Sequence, residues 1–215
     1  MGRVPGARNA DYDATRDAML RRMRARLLAP DGARASFREL AEAAGVGPAT
    51  LRHYFGTREG AVRAALAQMH EDGMPYLLRV TAPPSAPLRE SLGELLAMVM
   101  LGLRSGVGAI HALGLSAGLR DEALGPAYLE HVLEPTQQAF EARLAHHAAR
   151  GELREGADLR LAALQLIAPV LLASLHQREL GGAECRPLDV DAALTPHLEA
   201  WIRAWAREAP TTRRR

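Results

Sequence analysis

The stretch SFRELAEAAGVGPATLRHYFGTREGAVRAAL, residues 36–66, decides how the rest of the chain is read. Ser36, with Glu39 three positions on, forms a capping box, so a helix starts here with Phe37, Leu40, Ala41 and Ala44 on one face. Gly45 supplies the left-handed conformation that ends a helix, Val46 plugs the turn, and Gly47 with Pro48 opens the next helix. Two short helices joined by so tight a turn have the spacing of a helix-turn-helix. In the second of them Leu51 and Phe55 point inward, leaving Ala49, Thr50, Arg52, His53 and Tyr54 at or near the surface. Gly56 stops it. Thr57, Arg58 and Glu59 then cap a further helix carrying Ala61, Val62, Ala65, Leu66 and Met69 at helical spacing.

The pattern Leu40-Ala41, Ala44-Gly45-Val46, Thr50-Leu51, His53-Tyr54-Phe55, Thr57-Arg58-Glu59 resembles the DNA-binding domain of the TetR family of bacterial transcriptional regulators, with the match dense from residue 15 to 66. The resemblance implies a homodimer on a palindromic double-stranded DNA operator and a C-terminal helical domain that binds a small-molecule effector. It places Tyr54, Thr57 and Arg58 at positions that hold phosphates, and Arg38 and Thr50 at positions that reach base edges. Two departures stand out. The family usually has Tyr after the Leu at 51, where this chain has Arg52, a side chain able to hydrogen-bond guanine. Pro48 stands where relatives often carry a polar reader.

Charge is distributed as a DNA-binding end requires. The net charge is only +2, but residues 1–70 hold 12 Arg against 7 acids, and residues 71–215 hold 15 against 18. Positive potential therefore belongs to the helix-turn-helix end. Every basic residue is Arg and none is Lys, which reads as the coding bias of a GC-rich genome. With no run of 18 apolar residues and no apolar leader, neither a membrane span nor a secretory signal is expected, and the cytoplasm is the default compartment. Cys185, the single cysteine, reads as a free thiol.

Around the motif the pattern is helical throughout, so the expected fold is all-α with about nine helices. Residues 1–12 read as a flexible arm, 13–72 as the DNA-binding domain with its linking helix, 73–209 as a ligand-binding and dimerisation bundle, and 210–215 as a basic tail. Gly73, Pro75 and the run Pro83-Pro84-Ser85-Ala86-Pro87 mark the boundary. Helices are expected over 88–104, 110–119, 126–150 (kinked at Pro135), 159–175 and 190–207. The last two are apolar on more than one side, so they are expected to pair with their copies in a second subunit, with Trp201 and Trp205 as candidate anchors. Candidate pocket residues are Met98, Met100, His111, His131, Phe140, Gln165 and His176, apolar walls with a few polar groups.

Catalytic signatures are missing. The sequence has no Gly-x-Ser-x-Gly, His-Glu-x-x-His, Walker or dinucleotide motif, and its adjacent His146 and His147 lack metal spacing. No cofactor, metal or enzyme activity is expected. The competing class is a helical adaptor without specific DNA binding, which salt-sensitive duplex binding would exclude.

Overall fold

The computed structural model describes residues 7–207, with side chains from residue 11 onward. Among these residues the fold is all-α: nine helices of eight residues or more, two shorter ones, and one isolated bridge between Leu153 and Ala206. The helices are α1 (Ala7–Leu27), α2 (Phe37–Ala44), α3 (Pro48–Phe55), α4 (Arg58–Thr81), α5 (Leu88–Gly102), α6 (Gly108–Gly118), α7 (Leu124–Tyr128), α8 (Glu134–Ala149), α9 (Leu159–Arg178), α10 (Gly182–Cys185) and α11 (Val190–Trp205). They divide into two compact units: residues up to Gly73 with Ala109–Leu133, and Met74–Gly108 with the remainder from Glu134.

The first unit is built on α1, whose Met19, Leu20, Met23 and Leu27 are buried. Onto this stripe pack Leu40, Ala41 and Ala44 of α2, Leu51 and Phe55 of α3, and Ala61, Val62, Ala65, Leu66 and Met69 of α4. The same core takes in Ile110, Leu113, Ala117, Leu124, Ala127 and Tyr128 from α6 and α7, a segment the sequence pattern alone assigns to the bundle. Tyr128 lies flat on Gly114, where a Cβ would fall 2.1 Å from the ring. Its hydroxyl is 2.9 Å from Nδ1 of buried His111. Burial pushes the Tyr128 phenol up to about 12 and the His111 imidazole down to about 4, so both are neutral near pH 7.

In the second unit α5, α8, α9 and α11 surround Leu92, Leu95, Leu96, Phe140, Leu144, Leu166 and Trp201. Ala162 and Ala163, both fully buried, let α9 approach its neighbours closely, and Trp201 Nε1 donates to the Ala162 carbonyl at 2.8 Å. Arginines on and just after α8 also hold the last turn of α4 and the loop that follows it. Arg143 donates to the carbonyls of Val80 (2.7 Å) and Arg79 (2.8 Å), and Arg150 to those of Pro84 (2.6 Å) and Ala86 (2.7 Å). The first two are carbonyls that the end of α4 would leave unmet, and the other two belong to the loop before α5.

Several boundaries differ from the sequence expectation, each for a local reason. Helix α1 begins at Ala7, so the arm expected over 1–12 loses its second half; past Pro5-Gly6 nothing in Ala7-Arg8-Asn9-Ala10 breaks a helix. The rest of that arm and the basic tail at 210–215 lie outside the described residues. Pro75 does not end the linking helix: α4 runs through it to Thr81. The helix expected over 88–104 does end there: α5 closes at Gly102 and the helical backbone breaks at Ser105 and Gly106, the latter at φ 111°. The kink expected at Pro135 is a π turn at Leu129–Leu133 ahead of it, because proline cannot donate to the carbonyl four residues back.

Against the expectation of no membrane span, the stretches Leu88–Gly118 and Leu159–Arg178 are long and apolar enough, by length and composition, to cross a bilayer. Here the first is not one helix: it is interrupted at Ser105 and Gly106, its α5 part packing in the core of the second unit and its α6 part in that of the first, while Leu159–Arg178 is α9, with one side packed in the second core.

Candidate nucleic-acid interface

The helix-turn-helix is fixed by its caps. Ser36 Oγ accepts from the Glu39 amide, and Glu39 accepts from the Ser36 amide at 2.7 Å. Hydrogen bonds from Arg26 and from Ser36 hold the Glu39 carboxyl down at about 2, so this box stays charged well into acid. Gly45 closes α2 at φ 73°, in the left-handed region, and its amide reaches back to the Glu42 carbonyl. Pro48 takes the first position of α3.

Burial of Leu51 and Phe55 then dictates which side of α3 faces out. Ala49, Thr50, Arg52 and His53 are exposed, with Arg38 of α2 exposed as well and Tyr54 half-buried. Six of the eight expected DNA residues, Thr57 among them, are thus exposed on one motif, and Tyr54 and Arg58 are half-buried. Their geometry is partly set by aromatic contacts. Tyr54 stacks on Tyr12 of α1 at 4.5 Å between centroids, His53 meets both rings edge-on, and the Arg52 guanidinium lies 5.8 Å from the Phe37 ring centre. These contacts limit rotamer freedom at the side chains that would meet DNA. Tyr12 was not among the expected residues. Its signal in the sequence, an aromatic at the exposed start of α1, became meaningful only once α1 was placed beside α3.

Thr57 and Arg58 divide their roles. Thr57 Oγ1 accepts from the Gly60 amide, which makes it the N-cap of α4, whose remaining first-turn amides make an anion-friendly terminus. Arg58 turns inward: Nε donates to the Ala35 carbonyl at 2.6 Å and Nη2 to that of Ala33 at 2.5 Å. In this conformation it pins the turn ahead of α2 and does not project toward a phosphate.

The seven candidate pocket residues are divided between the two units. His111 and His131 belong to the first unit, while Met98, Met100, Phe140, Gln165 and His176 belong to the second. Phe140 is fully buried packing, and Gln165 is exposed and accepts from Trp205 Nε1 at 2.9 Å. Met98 is half-buried against the bundle core, and Met100 borders a cleft beside α9. His131 sits 3.9 Å from Glu130, and His176 has a buried Nδ1 with no partner among the described residues.

A buried polar cluster went unforeseen. Fully buried His147 lies between Ser91 Oγ (3.0 Å from Nε2) and Glu152 (2.5 Å from Nδ1), with Arg150 beside it. The sequence signal was its place on the Phe140-Leu144-His147 stripe of α8. Burial lowers the His147 pKa against the pull of Glu152; burial works to raise Glu152, but the hydrogen bonds from His147 and Arg150 win and leave it lowered. The connectivity is that of a nucleophile, base and acid, yet Ser91 and His147 are both sealed from solvent. In this conformation the cluster ties α5 to α8, and no substrate can reach the hydroxyl.

Two protein-family models match the chain: "Bacterial regulatory proteins, tetR family" over residues 25–65 and "Tetracyclin repressor-like, C-terminal domain" over residues 82–188. Among solved structures, a TetR-family transcriptional regulator from Mesorhizobium loti superposes with a TM-score of 0.75 at 17% identity, covering 91% of this chain and 98% of the other. One from Rhodococcus sp. gives 0.67 at 21% identity, covering 89% and 98%. SmeT, the repressor of the Stenotrophomonas maltophilia multidrug efflux pump SmeDEF, gives 0.62 at 19% identity, covering 95% and 98%, and is also similar as its triclosan complex. A search of curated protein sequences gave no match.

Proposed function

Because the chain belongs to the TetR family, and is thus a DNA-binding transcriptional regulator, we propose that it is a cytoplasmic homodimeric repressor that leaves a palindromic operator when a small molecule binds its C-terminal domain. The observation that carries this reading is the exposed side of α3, where Thr50, Arg52 and His53 stand clear of a core that fixes the helix's rotation. Thr50 and Arg52 read base edges in the major groove, assisted by Arg38 from α2; Arg52, in place of the usual Tyr, favours guanine. Tyr54, Thr57 and the α4 amides hold the backbone and set register.

Dimerisation uses the outer face of α9. Leu161, Leu164 and Leu172 are between 43% and 65% exposed there, an apolar strip that a single copy of the chain leaves in water. Twofold pairing through α9 and α11 brings two copies of α3 to successive major grooves, about one DNA turn apart. A repressor description and a small-molecule complex both exist for SmeT, a relative by fold, which supports the same mode here.

The test is selection of duplexes from a random pool by the purified protein, followed by affinity against salt. A palindromic consensus whose log affinity falls with log salt by about 0.9 per phosphate contact is expected. No enrichment at low salt would overturn the operator-binding reading.

A further inference from the structure

A pocket of about 200 Å³ opens in the second unit where the ends of α5 and α9 meet the start of α11. Its apolar wall comes from Met100, Leu188 and Val190, and its polar wall from Ser174, Gln177 and Arg178 of α9. The Gln177 side-chain carbonyl accepts from the Leu188 amide at 2.8 Å, which fixes the segment before α11 as one side of the cleft.

The hydrogen-bonding inventory of the α9 wall is one-sided. Ser174 is 1% exposed, and its buried hydroxyl has no partner among the described residues. A buried hydroxyl without a partner costs free energy and calls for one. Gln177 has spent its oxygen and keeps its amide donors, and Arg178 makes no ion pair among the described residues. Each acid of the lining is engaged through one oxygen: Asp191 Oδ2 pairs with Arg104, and Asp189 Oδ1 caps α11 by accepting from the Ala192 amide at 3.0 Å. On the α9 wall, what is left over is the Ser174 hydroxyl, which can donate, and the N–H groups of Gln177 and Arg178.

We infer that this cleft binds a small organic carboxylate. Its two oxygens accept from Ser174, Gln177 and Arg178, the last suited to bidentate pairing, and its short apolar body lies on Met100, Leu188 and Val190. Size limits the body. The volume is below the roughly 300–1,000 Å³ of pockets for drug-sized ligands, so a benzoate or a short-chain fatty acid fits and a long acyl chain does not. That this ligand is the effector rests on the repressor reading above; that it binds does not.

The test uses full-length protein with its methionine methyl groups labelled, titrated with benzoate and hexanoate and with the neutral counterparts benzamide and hexanol. Saturable binding is expected, with Met100 shifting most among the seven methionines. The neutral compounds should bind at least tenfold more weakly. Ser174→Ala and Arg178→Gln should each weaken the carboxylates tenfold or more, while the melting temperature of the free protein holds for Arg178→Gln and does not fall for Ser174→Ala, which removes a buried hydroxyl without a partner among the described residues. No saturation, equal affinity for the neutral compounds, shifts that spare Met100, or indifference to both substitutions would overturn the inference. Operator release is measured separately on the selected duplex. Carboxylate binding without release keeps the site and removes its effector role, and intact operator binding without carboxylate binding removes the site and keeps the regulator.

Discussion

On α3 the side chains left outside are Thr50, Arg52 and His53, whereas on α9 they are Leu161, Leu164 and Leu172. Both helices bury one stripe in a core of their own unit, and they differ in what the opposite stripe offers. The α3 surface suits a polyanion that stays hydrated and is read through hydrogen bonds. The α9 surface suits another apolar surface, which water alone would drive it to find. Burial by itself therefore says little about a helix's purpose; the residues a fold declines to bury say more.

The sharpest break of this contrast is a charge on the apolar strip. Leu164→Arg with Leu172→Arg should cost the dimer about 4 kcal/mol or more, from two lost leucine contacts of about 1.5–3 kcal/mol each and two unpaired charges. Sedimentation should then show monomer at concentrations where the parent is dimeric, and operator affinity should collapse. An unchanged dimer would place the interface elsewhere.

Acid is the next largest lever. The folded pKa of His111, about 4, lies below its ordinary 6.5, so between those values the unfolded chain takes up a proton that the folded one refuses. Stability is therefore full above pH 6.5 and falls as pH drops toward 4, by about 3 kcal/mol. Urea unfolding at stepped pH measures this, and His111→Gln should flatten the slope. Buried His147, whose pKa is also lowered, adds a dependence of the same sign in the other unit.

Two arginines six positions apart sharpen the distinction between building the reading head and using it. Arg58→Ala removes two charge-assisted hydrogen bonds to carbonyls and should cost about 2–3 kcal/mol of stability. Arg52→Ala should leave stability within about 0.5 kcal/mol and act on operator affinity at one base position. Paired unfolding and binding curves decide it: a stable Arg58→Ala protein with weakened affinity for all sequences would return Arg58 to the phosphates. Smallest is Ser36→Ala, expected to cost about 1 kcal/mol through the lost cap, visible as a modest drop in melting temperature with specificity retained.

The motif was legible because each of its features is local. The capping box, the left-handed Gly45, Pro48 at the first turn and the Leu51–Phe55 spacing act within five residues or fewer, and all are present in the structure. Arg58 was legible as a residue of the motif but not in its direction, since the carbonyls it meets lie 23 and 25 positions earlier. The pocket residues were the least legible. Met and His on apolar helices look alike whether they pack, pair or line a cleft, and only long-range contacts separate Phe140 in the core from Met100 at the cleft.

Sequence by itself determined the all-helical class, the helix-turn-helix with its exposed reading side, and the charge that belongs with it, because helix caps and apolar period are properties of neighbouring residues. Tertiary structure alone decided that α6 and α7 join the core of the first unit, that α4 continues through Pro75, that Arg58 faces inward, and that Ser174 lacks a partner beside a donor-lined cleft. Those outcomes depend on which distant groups fold into reach, and a lost or gained hydrogen bond across dozens of residues leaves no periodic mark on the chain.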